Sequence, residues 1–363
     1  MGLNPVRNKP PEVTAPPSEG TSNGVKPRSF CNKQKNTMKE RPKIIVIGGG
    51  TGSFIVLSAL KRFNLDLTAI VSMVDDGGST GALRDELGVL PPGDIRKCLV
   101  ALSRSSRTMR RLFNFRFRKG SLKGHSFGNL FLTSLEKITG NFKNAVLEAS
   151  QILAIKGRVL PVTLDNTRLF IRLTNKKVLR GEKHLDSYDF SQDKIESVYL
   201  KPKAKINPDA KNALHEADLV IIAPGTLYGS LIPNFLVSGF SKALKESRAK
   251  IIYVCNLVNK PHNENFSPYD YVSELEKYIG GKAIDYVLIN NRKPPRNIVL
   301  KYRKKGEEPI KTYDIKFKGG RLKVIRDDLL SKNFQRDSNY SDLIRHDKEK
   351  LAKIIMRIYE KKL

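Results

Sequence analysis

Apolar runs alternate with helical patterns along most of this chain. Residues 43–47 form a largely apolar run that ends in clustered glycines, a helical pattern covers 53–61, and residues 67–74 form a second apolar run. Unbroken apolar runs are typical of strands buried on both faces of a parallel sheet. Further strands are predicted at 158–164, 168–173, 193–200, 217–223, 250–258 and 284–290, and helices ending near 245 and at 269–278 and 347–361. This alternation predicts an α/β fold with a mostly parallel, doubly wound sheet and a ligand cleft at the carboxyl ends of its strands.

Two segments fall outside this alternation. Residues 1–42 are rich in proline, asparagine, lysine and serine, which predicts a disordered basic tail before a single domain over 43–363. Residues 176–193 are polar and are expected to form a surface excursion. In the last predicted helix, one face favours core packing over a membrane anchor, because it carries Leu351, Ile354, Ile355 and Ile358.

Composition narrows the class of partner. The net charge is +30 and the pI is about 10.0, which indicates an anionic partner or surface. Nucleic acid would fit this charge, but the basic residues are spread over many predicted elements, so it is not the expected partner. Cys31, Cys98 and Cys255 lack paired spacing, which excludes a disulfide framework and a cysteine-built zinc site. No apolar run approaches the ~20 residues of a membrane span, and we expect a cytoplasmic protein.

The first glycine cluster predicts a phosphate-facing loop. It comprises Gly48, Gly49, Gly50, Thr51 and Gly52, between a strand and a helix. Glycines permit close approach of a ligand, and the free N–H groups of a helix's first turn favour an anion. The spacing is Gly-x-Gly-x-Gly, so it is neither the dinucleotide fingerprint nor a P-loop. The alternative is a tight strand-to-helix turn without a ligand.

Two acids follow the second strand. In a right-handed βαβ unit, Asp75 would lie beside the glycine loop, where a carboxylate usually holds a ribose hydroxyl. Asp76 is one acid more than ribose binding requires, and it could bind a divalent cation or act as a base. Alternatively, Asp76 or Ser79 caps the next helix. The nucleotide site predicted here also includes Gly77 and Gly78.

Three later loops carry further candidates. Residues 223–230 look like a second phosphate loop, or else Thr226 or Ser230 simply caps a helix. Asp94 and Arg96 could face a phosphorylated ligand, or Asp94 could cap its helix. His125 could act as an acid or base or bind phosphate. The remaining candidates in these loops are Ser126, Asn129, Gly225, Tyr228 and Asn256.

Residues 104–123 combine eight basic residues with three phenylalanines and no acid. Basic residues interleaved with aromatics would fit single-stranded nucleic acid. The periodicity favours a different interpretation, in which the phenylalanines pack inward and the arginines are solvated or reach ligand phosphates. The phenylalanines concerned are Phe113, Phe115 and Phe117.

Seven motifs, in order, resemble the gluconeogenesis factor (YvcK-type) family, which shares a superfamily with 2-phospho-L-lactate transferase (CofD). They are Gly48-Gly-Gly-Thr-Gly52, Asp75-Asp-Gly-Gly-Ser-Thr-Gly81, Pro92-Gly-Asp-Ile-Arg96, Leu112-Phe-x-Phe-Arg-Phe117, Gly124-His-Ser-Phe-Gly-Asn129, Lys156-Gly-Arg-Val-Leu-Pro161 and Pro224-Gly-Thr-Leu-Tyr-Gly-Ser230. The segments 344–347 and 350–352 also look like the family's C-terminal end, so the resemblance covers about 43–355. Two departures are Gly229, where the family has a threonine, and the segment after Asn256.

The resemblance implies a Rossmann-like, three-layer α/β/α fold whose nucleotide site is lined by the motifs above. It implies a regulatory protein that binds UDP-N-acetylglucosamine or a similar nucleotide sugar. Such a protein would be linked to cell shape, envelope synthesis through protein partners, and carbon metabolism. The rival hypothesis is a transferase that moves a phospho-lactyl-type group, with Asp76 or Asp94 binding Mg²⁺ or activating an acceptor hydroxyl. RNA binding is a third hypothesis; NAD and guanine nucleotide are further candidate ligands, and a homo-oligomer is a candidate assembly.

Overall fold

The computed structural model describes residues 40–281, 283–312, 321–334 and 344–362. The tail predicted for residues 1–42 lies outside these ranges except for its last three residues. The strands, in chain order, are β1 (Lys43–Ile47), β2 (Asp66–Val71), β3 (Arg158–Pro161), β4 (Arg168–Leu173), β5 (Val178–Arg180), β6 (Ile195–Lys201), β7 (Leu219–Ile222), β8 (Lys250–Val254), β9 (Val258–Asn259), β10 (Tyr286–Asn290), β11 (Glu308–Pro309) and β12 (Lys323–Asp327).

Helices connect these strands, and the described residues from 41 onward form one compact unit. In chain order they are α1 (Gly50–Leu60), α2 (Gly78–Leu87), α3 (Gly93–Leu102), α4 (Arg107–Asn114), α5 (Phe127–Thr139), α6 (Phe142–Ile152), α7 (Gly181–Ser187), α8 (Pro208–Glu216), α9 (Ile232–Phe235), α10 (Phe240–Glu246), α11 (Pro268–Ile279), α12 (Arg296–Arg303) and α13 (Lys348–Lys362). Among the described residues, no helix combines the length and the apolar character that crossing a bilayer requires.

The central sheet is parallel throughout, with strand order β3-β2-β1-β7-β8-β10-β12. The order reverses direction between β1 and β7. Because crossovers between parallel strands are right-handed, α1 and the helices between β7 and β8 lie on opposite faces of the sheet. Both faces are therefore covered, which explains the unbroken apolar strands, such as the buried run 44–47. The predicted Rossmann-like, doubly wound α/β fold is confirmed.

A small antiparallel sheet, with order β5-β4-β6, stands apart from the central one. The polar segment 176–193, expected to be a surface excursion, supplies β5 and α7 to this unit. That expectation is wrong in part, because Leu179 and Leu185 are buried. Apolar side chains spaced six residues apart anchor an otherwise polar segment. As a result, the first turn of α7 lies against the loops at the carboxyl ends of the central strands.

The prediction for the phenylalanines of 104–123 is right for one ring and wrong for another. Phe113, in the last turn of α4, is buried edge-on against Phe127 and Phe131 at ring-centroid distances of 6.0 and 5.1 Å. Phe115 follows the end of the helix and is 51 % exposed. It lies on an extended segment with Phe117, and these two rings contact each other at 5.2 Å. The helical periodicity therefore does not extend past Asn114.

The apolar face predicted for the last helix packs into the core, since Leu351, Ile354, Ile355 and Ile358 are all buried. Ile355→Ala is expected to lower the free energy of unfolding by roughly 2–5 kcal/mol, the usual cost of a cavity of this size. Urea denaturation followed by circular dichroism measures it. Lys353→Ala, at an exposed position of the same helix, is the matched control and should change stability by less than about 0.5 kcal/mol. Equal effects of the two substitutions would contradict a core role for this face.

Candidate functional site

A cleft of about 300 Å³ opens at the carboxyl ends of β1 and β7, where the strand order reverses. Ligands bind at this position in open α/β sheets because the loops on either side diverge there. Ten predicted site residues line the cleft: Gly49, Gly50, Thr51, Gly52, Asp75, Asp94, Gly225, Thr226, Ser230 and Asn256.

The first wall of the cleft is the glycine loop and the start of α1. Helix α1 begins at Gly50 rather than at the predicted Ser53, so the glycines belong to its first turn. The N-cap residue, Gly49, has no side chain that could cap the helix, which leaves the first-turn N–H groups for a ligand. A Cβ atom on Gly52 would stand 1.7 Å from the Pro224 carbonyl oxygen. Only glycine lets the two loops approach this closely.

The second wall is the loop 224–230, which runs into a π-helical turn, Leu227–Leu231. Asn256 holds this loop with both ends of its amide. The Gly225 N–H donates to Asn256 Oδ1 at 3.2 Å, and Asn256 Nδ2 donates to the Gly225 carbonyl oxygen at 2.7 Å. The predicted Asn256 therefore orients the second loop from the end of the neighbouring strand, β8.

Three carboxylates and one lysine form the floor of the cleft. Asp94 pairs with Lys97 Nζ at 3.0 Å, which raises the pKa of the ammonium group. Burial and the nearby Asp94 raise the pKa of Asp75 to about 6. Burial, reinforced by Asp75 and Asp94, raises the pKa of Glu182 to about 8. The floor therefore holds more negative charge than Lys97 compensates, and part of it is neutralised by protons near pH 7.

Glu182 reaches this floor from α7. Its Oε1 atom accepts a hydrogen bond from Ser230 Oγ at 3.4 Å. A Cβ atom on Gly229 would stand 2.6 Å from the same Oε1 atom. The glycine at 229, where the resembling family has threonine, thus leaves the space that the Glu182 carboxylate fills.

The outer wall comes from later segments of the chain. Lys260 pairs with Glu307 at 2.5 Å, and the Ile344 N–H donates to the Tyr302 hydroxyl at 3.0 Å. His346 is buried, which lowers its pKa to about 4, and it is hydrogen-bonded to the backbone of Cys255. Its Nε2 atom is buried and has no hydrogen-bond partner among the described residues, and the residue forms part of the cleft wall.

Several predicted residues form a buried polar cluster behind the cleft instead of lining it. His125 Nδ1 lies 3.1 Å from Ser79 Oγ, and Asn129 Nδ2 donates to the same hydroxyl at 3.2 Å. Arg96 Nε donates to Asn129 Oδ1 at 2.9 Å. Ser126 caps α5 by accepting from the Asn129 N–H at 3.3 Å. This cluster fixes helices α2, α3 and α5 against one another.

The remaining predicted residues also lie outside the cleft lining. Asp76 accepts a hydrogen bond from the Lys183 N–H at 3.2 Å and packs against Gly181, so it holds the start of α7. Gly48 lies in the turn after β1, and Gly77 and Gly78 begin α2. The Tyr228 hydroxyl donates to Glu274 at 3.2 Å.

Sequence reasoning missed several cleft residues. Lys97 and Glu182 are the most consequential because they set the charge of the floor. Lys97 had a signal, an acid three residues before it on a helix, whereas Glu182 had none in its polar segment. The outer wall was also missed, although 344–347 is part of the family resemblance: Lys260, Tyr302, Glu307, Arg345 and His346.

Comparison with known proteins identifies a family and several relatives that match this chain. The family model described as 2-phospho-L-lactate transferase CofD matches residues 44–330. A Thermoanaerobacterium thermosulfurigenes protein, provisionally described as a gluconeogenesis factor, is 42% identical over 324 residues, 88% of this chain and 97% of the relative. The gluconeogenesis factor of Bacillus subtilis is 38% identical, over 88% of this chain and 98% of that protein. The crystal structure of a UPF0052 family member from Bacillus halodurans superimposes with a TM-score of 0.81 at 33% identity, over 88% of this chain and 99% of the other.

Proposed function

The chain belongs to the gluconeogenesis factor family and carries its CofD-type domain, and from this premise we propose that the cleft binds a nucleotide sugar of the UDP-N-acetylglucosamine type. In this proposal the protein is a cytoplasmic regulator without turnover of its own. It acts through protein partners in envelope synthesis and links cell shape to carbon metabolism, as the family resemblance implies.

One observation carries the proposal, namely the apposition of the two glycine loops. The uncapped first turn of α1 and the Asn256-held loop after β7 face the same cleft, and Gly52 lies against the Pro224 carbonyl. A helix N-terminus with free N–H groups, placed opposite a second loop at a topological switch point, suits the phosphates of a nucleotide diphosphate. The cleft volume of about 300 Å³ is at the lower end of the range for small-molecule sites.

A specific observation also favours the rival function, a CofD-type transferase. Asp75 and Asp94 lie on the cleft floor beside Lys97, where an acceptor hydroxyl could meet a transferred phosphoryl group. Among the described residues, no three His, Cys, Asp or Glu side chains are arranged to hold a metal ion. Mg²⁺, however, commonly takes one or two carboxylates and completes its shell with phosphate oxygens and water. Asp75 and Asp94 would hold it in this way, and it would neutralise charge developing on the phosphoryl group.

Calorimetric titration separates the two functions. The purified protein is titrated with UDP-N-acetylglucosamine, NAD and GTP, each with and without Mg²⁺, and the ligand is recovered and analysed afterwards. The regulator proposal expects UDP-sugar binding that does not depend on Mg²⁺, with the ligand recovered intact. A preference for GTP with Mg²⁺, or consumption of the ligand, would establish the transferase instead.

Asp94→Asn sharpens this distinction. Under the regulator proposal we expect UDP-sugar affinity within about threefold of wild type at pH 7.5, because the substitution removes a charge that repels phosphates but disturbs Lys97. Under the transferase hypothesis, turnover should fall by roughly 10²–10⁴-fold. Asp76→Asn is the matched control, since Asp76 lies outside the cleft lining. Equal losses from both substitutions would point to a structural effect through α7.

A further inference from the structure

A second and larger cleft, of about 890 Å³, lies beside the first. The two share part of their lining, including Thr51, Ile55 and His346. The far side of the second cleft comes from the last turn of α1, the connection from α3 to α4, and α4 itself. Nothing in the proposed nucleotide site requires this space.

The lining of the second cleft is strongly basic. It includes Arg104 and, one helical turn apart on α4, Arg107, Arg110 and Arg111. Residues spaced three and four apart share one face of a helix, so Arg110 and Arg111 both lie on the side of Arg107, and all three line the cleft. Arg110 Nη1 also donates to the Ser105 carbonyl oxygen at 2.6 Å. None of the described carboxylates forms an ion pair with any of the four arginines.

The end of α1 adds further positive charge to this cleft. Lys61 Nζ donates to the Ser103 carbonyl oxygen at 3.0 Å, and burial together with Arg110 lowers the pKa of this lysine to about 8. Arg62 pairs with Glu349, one of the two acids in the lining, at 3.0 Å. Cations held this close in a concave surface repel one another, and a bound polyanion relieves that repulsion.

We propose that the basic cleft, defined by Lys61, Arg104, Arg107, Arg110 and Arg111, is a binding site for a small molecule that carries several negative charges, as phosphoryl or carboxylate groups. Guanidinium groups suit both because their forked N–H donors match the geometry of these anions. Because the two clefts share Thr51 and His346, the anion would lie directly beside the occupant of the first cleft. The inference does not depend on what that occupant is.

The shape and lining favour a small molecule over single-stranded nucleic acid. The volume falls within the range of small-molecule sites. Single-stranded nucleic acid needs aromatic platforms on which successive bases stack. Among the described lining residues the aromatic side chains are Phe54 and His346. Lys348 Nζ already lies 5.0 Å from the Phe54 ring centroid, and His346 is buried.

The test is calorimetric titration of the full-length chain at 150 mM NaCl with tripolyphosphate and, separately, citrate. Arg107→Gln/Arg111→Gln is expected to weaken tripolyphosphate binding at this site at least tenfold. Both positions are exposed on a helix and glutamine is a good helix former, so the thermal melt should not change. Lys203→Gln/Lys211→Gln removes the same charge from exposed positions outside the cleft and should change affinity less than twofold. Citrate binding with the same sensitivity would extend the site to carboxylates, and its absence would restrict the site to phosphoryl groups.

Three results would overturn the proposal. If both double variants weaken binding equally, the effect comes from the overall charge and not from a site. If neither does, tripolyphosphate binds only at the first cleft. If a 12-residue oligouridylate binds at least a hundredfold tighter than tripolyphosphate and loses that affinity in Arg107→Gln/Arg111→Gln, the cleft is a nucleic-acid site.

Discussion

Replacing Gly52 with alanine is expected to weaken the binding of a nucleotide diphosphate by about a hundredfold. The new Cβ atom would stand 1.7 Å from the Pro224 carbonyl oxygen, a backbone atom that can yield only if the second loop moves. That movement takes the second loop away from the first turn of α1, so a diphosphate can no longer contact both. Losing two charge-assisted hydrogen bonds at about 1.5 kcal/mol each corresponds to this factor. Titration with UDP-N-acetylglucosamine measures it.

Gly77→Ala is the matched control for this substitution. Gly77 lies outside the cleft lining, its φ is negative, and the nearest atom to an added Cβ is Asp75 Oδ1 at 3.3 Å. We expect less than a threefold change in affinity. Alanine is also a better helix former than glycine, so the higher helix propensity in Gly52→Ala partly offsets the destabilisation caused by the steric clash. If the Gly52→Ala variant folds and its ligand affinity is unchanged, the two loops do not bind the diphosphate together.

The second large effect concerns pH. Glu182 and Asp75 have pKa values of about 8 and about 6 in the folded chain, above their ordinary values of 4.5 and 3.8. At these two carboxyls the folded state therefore binds more protons than the unfolded state between those limits, and their contribution to stability falls as the pH rises through this window. The contribution of Asp75 to stability is lost as the pH rises from about 3.8 to about 6, and that of Glu182 as it rises from about 4.5 to about 8. Burial of His346 and His262 lowers their pKa values to about 4 and about 3, so these two groups raise stability with pH up to about pH 6.5 and oppose the carboxyls there. We therefore expect the melting temperature of the ligand-free protein to fall between about pH 6.5 and pH 8, where Glu182 still titrates.

Glu182→Gln isolates one contributor to that slope. The amide resembles the protonated carboxyl, so the variant should match wild type near pH 5 and exceed its melting temperature by roughly 3 °C at pH 8. Differential scanning fluorimetry across a buffer series is sufficient. Glu148→Gln, at an exposed position on α6 where the carboxylate has no described ion-pair partner, should follow wild type at every pH. A parallel offset of Glu182→Gln at all pH values would show that the effect is packing and not titration.

The sequence was informative wherever local pattern determines local structure. Apolar runs predicted the strands of the central sheet because both faces of that sheet are covered. The glycine loops were predictable since their conformations are open to few other residues, and Gly50 has a φ of +67°. The carboxyl ends of parallel strands share one edge, which is why the candidates of four separate loops could be expected to converge.

Residues whose positions depend on distant contacts were beyond that reasoning. Asp75 and Asp76 are adjacent and chemically identical, yet one lines the cleft and the other holds α7. Glu182 reaches the floor because the start of α7, which follows the separate antiparallel strand β5, contacts loops at the carboxyl edge of the main sheet. No periodicity in 176–193 indicates this contact. His125 and Asn129 have the composition of a ligand site but satisfy each other through Ser79 and Arg96. Composition alone does not distinguish a buried polar network from a binding site.

The pairing of β1 with β7 has a consequence for how the chain is made. The Lys43 N–H donates to Asp218 across a separation of 175 residues. At about 5–20 residues per second, a ribosome needs roughly 9–35 seconds to deliver the second of these partners after the first. Throughout that interval one edge of β1 has no neighbouring strand, although its apolar side chains are already present. An unpaired strand edge of this kind is a template for association with other chains. We therefore expect the nascent chain to be most prone to association until β7 emerges, and the glycine loops can face each other only after that moment.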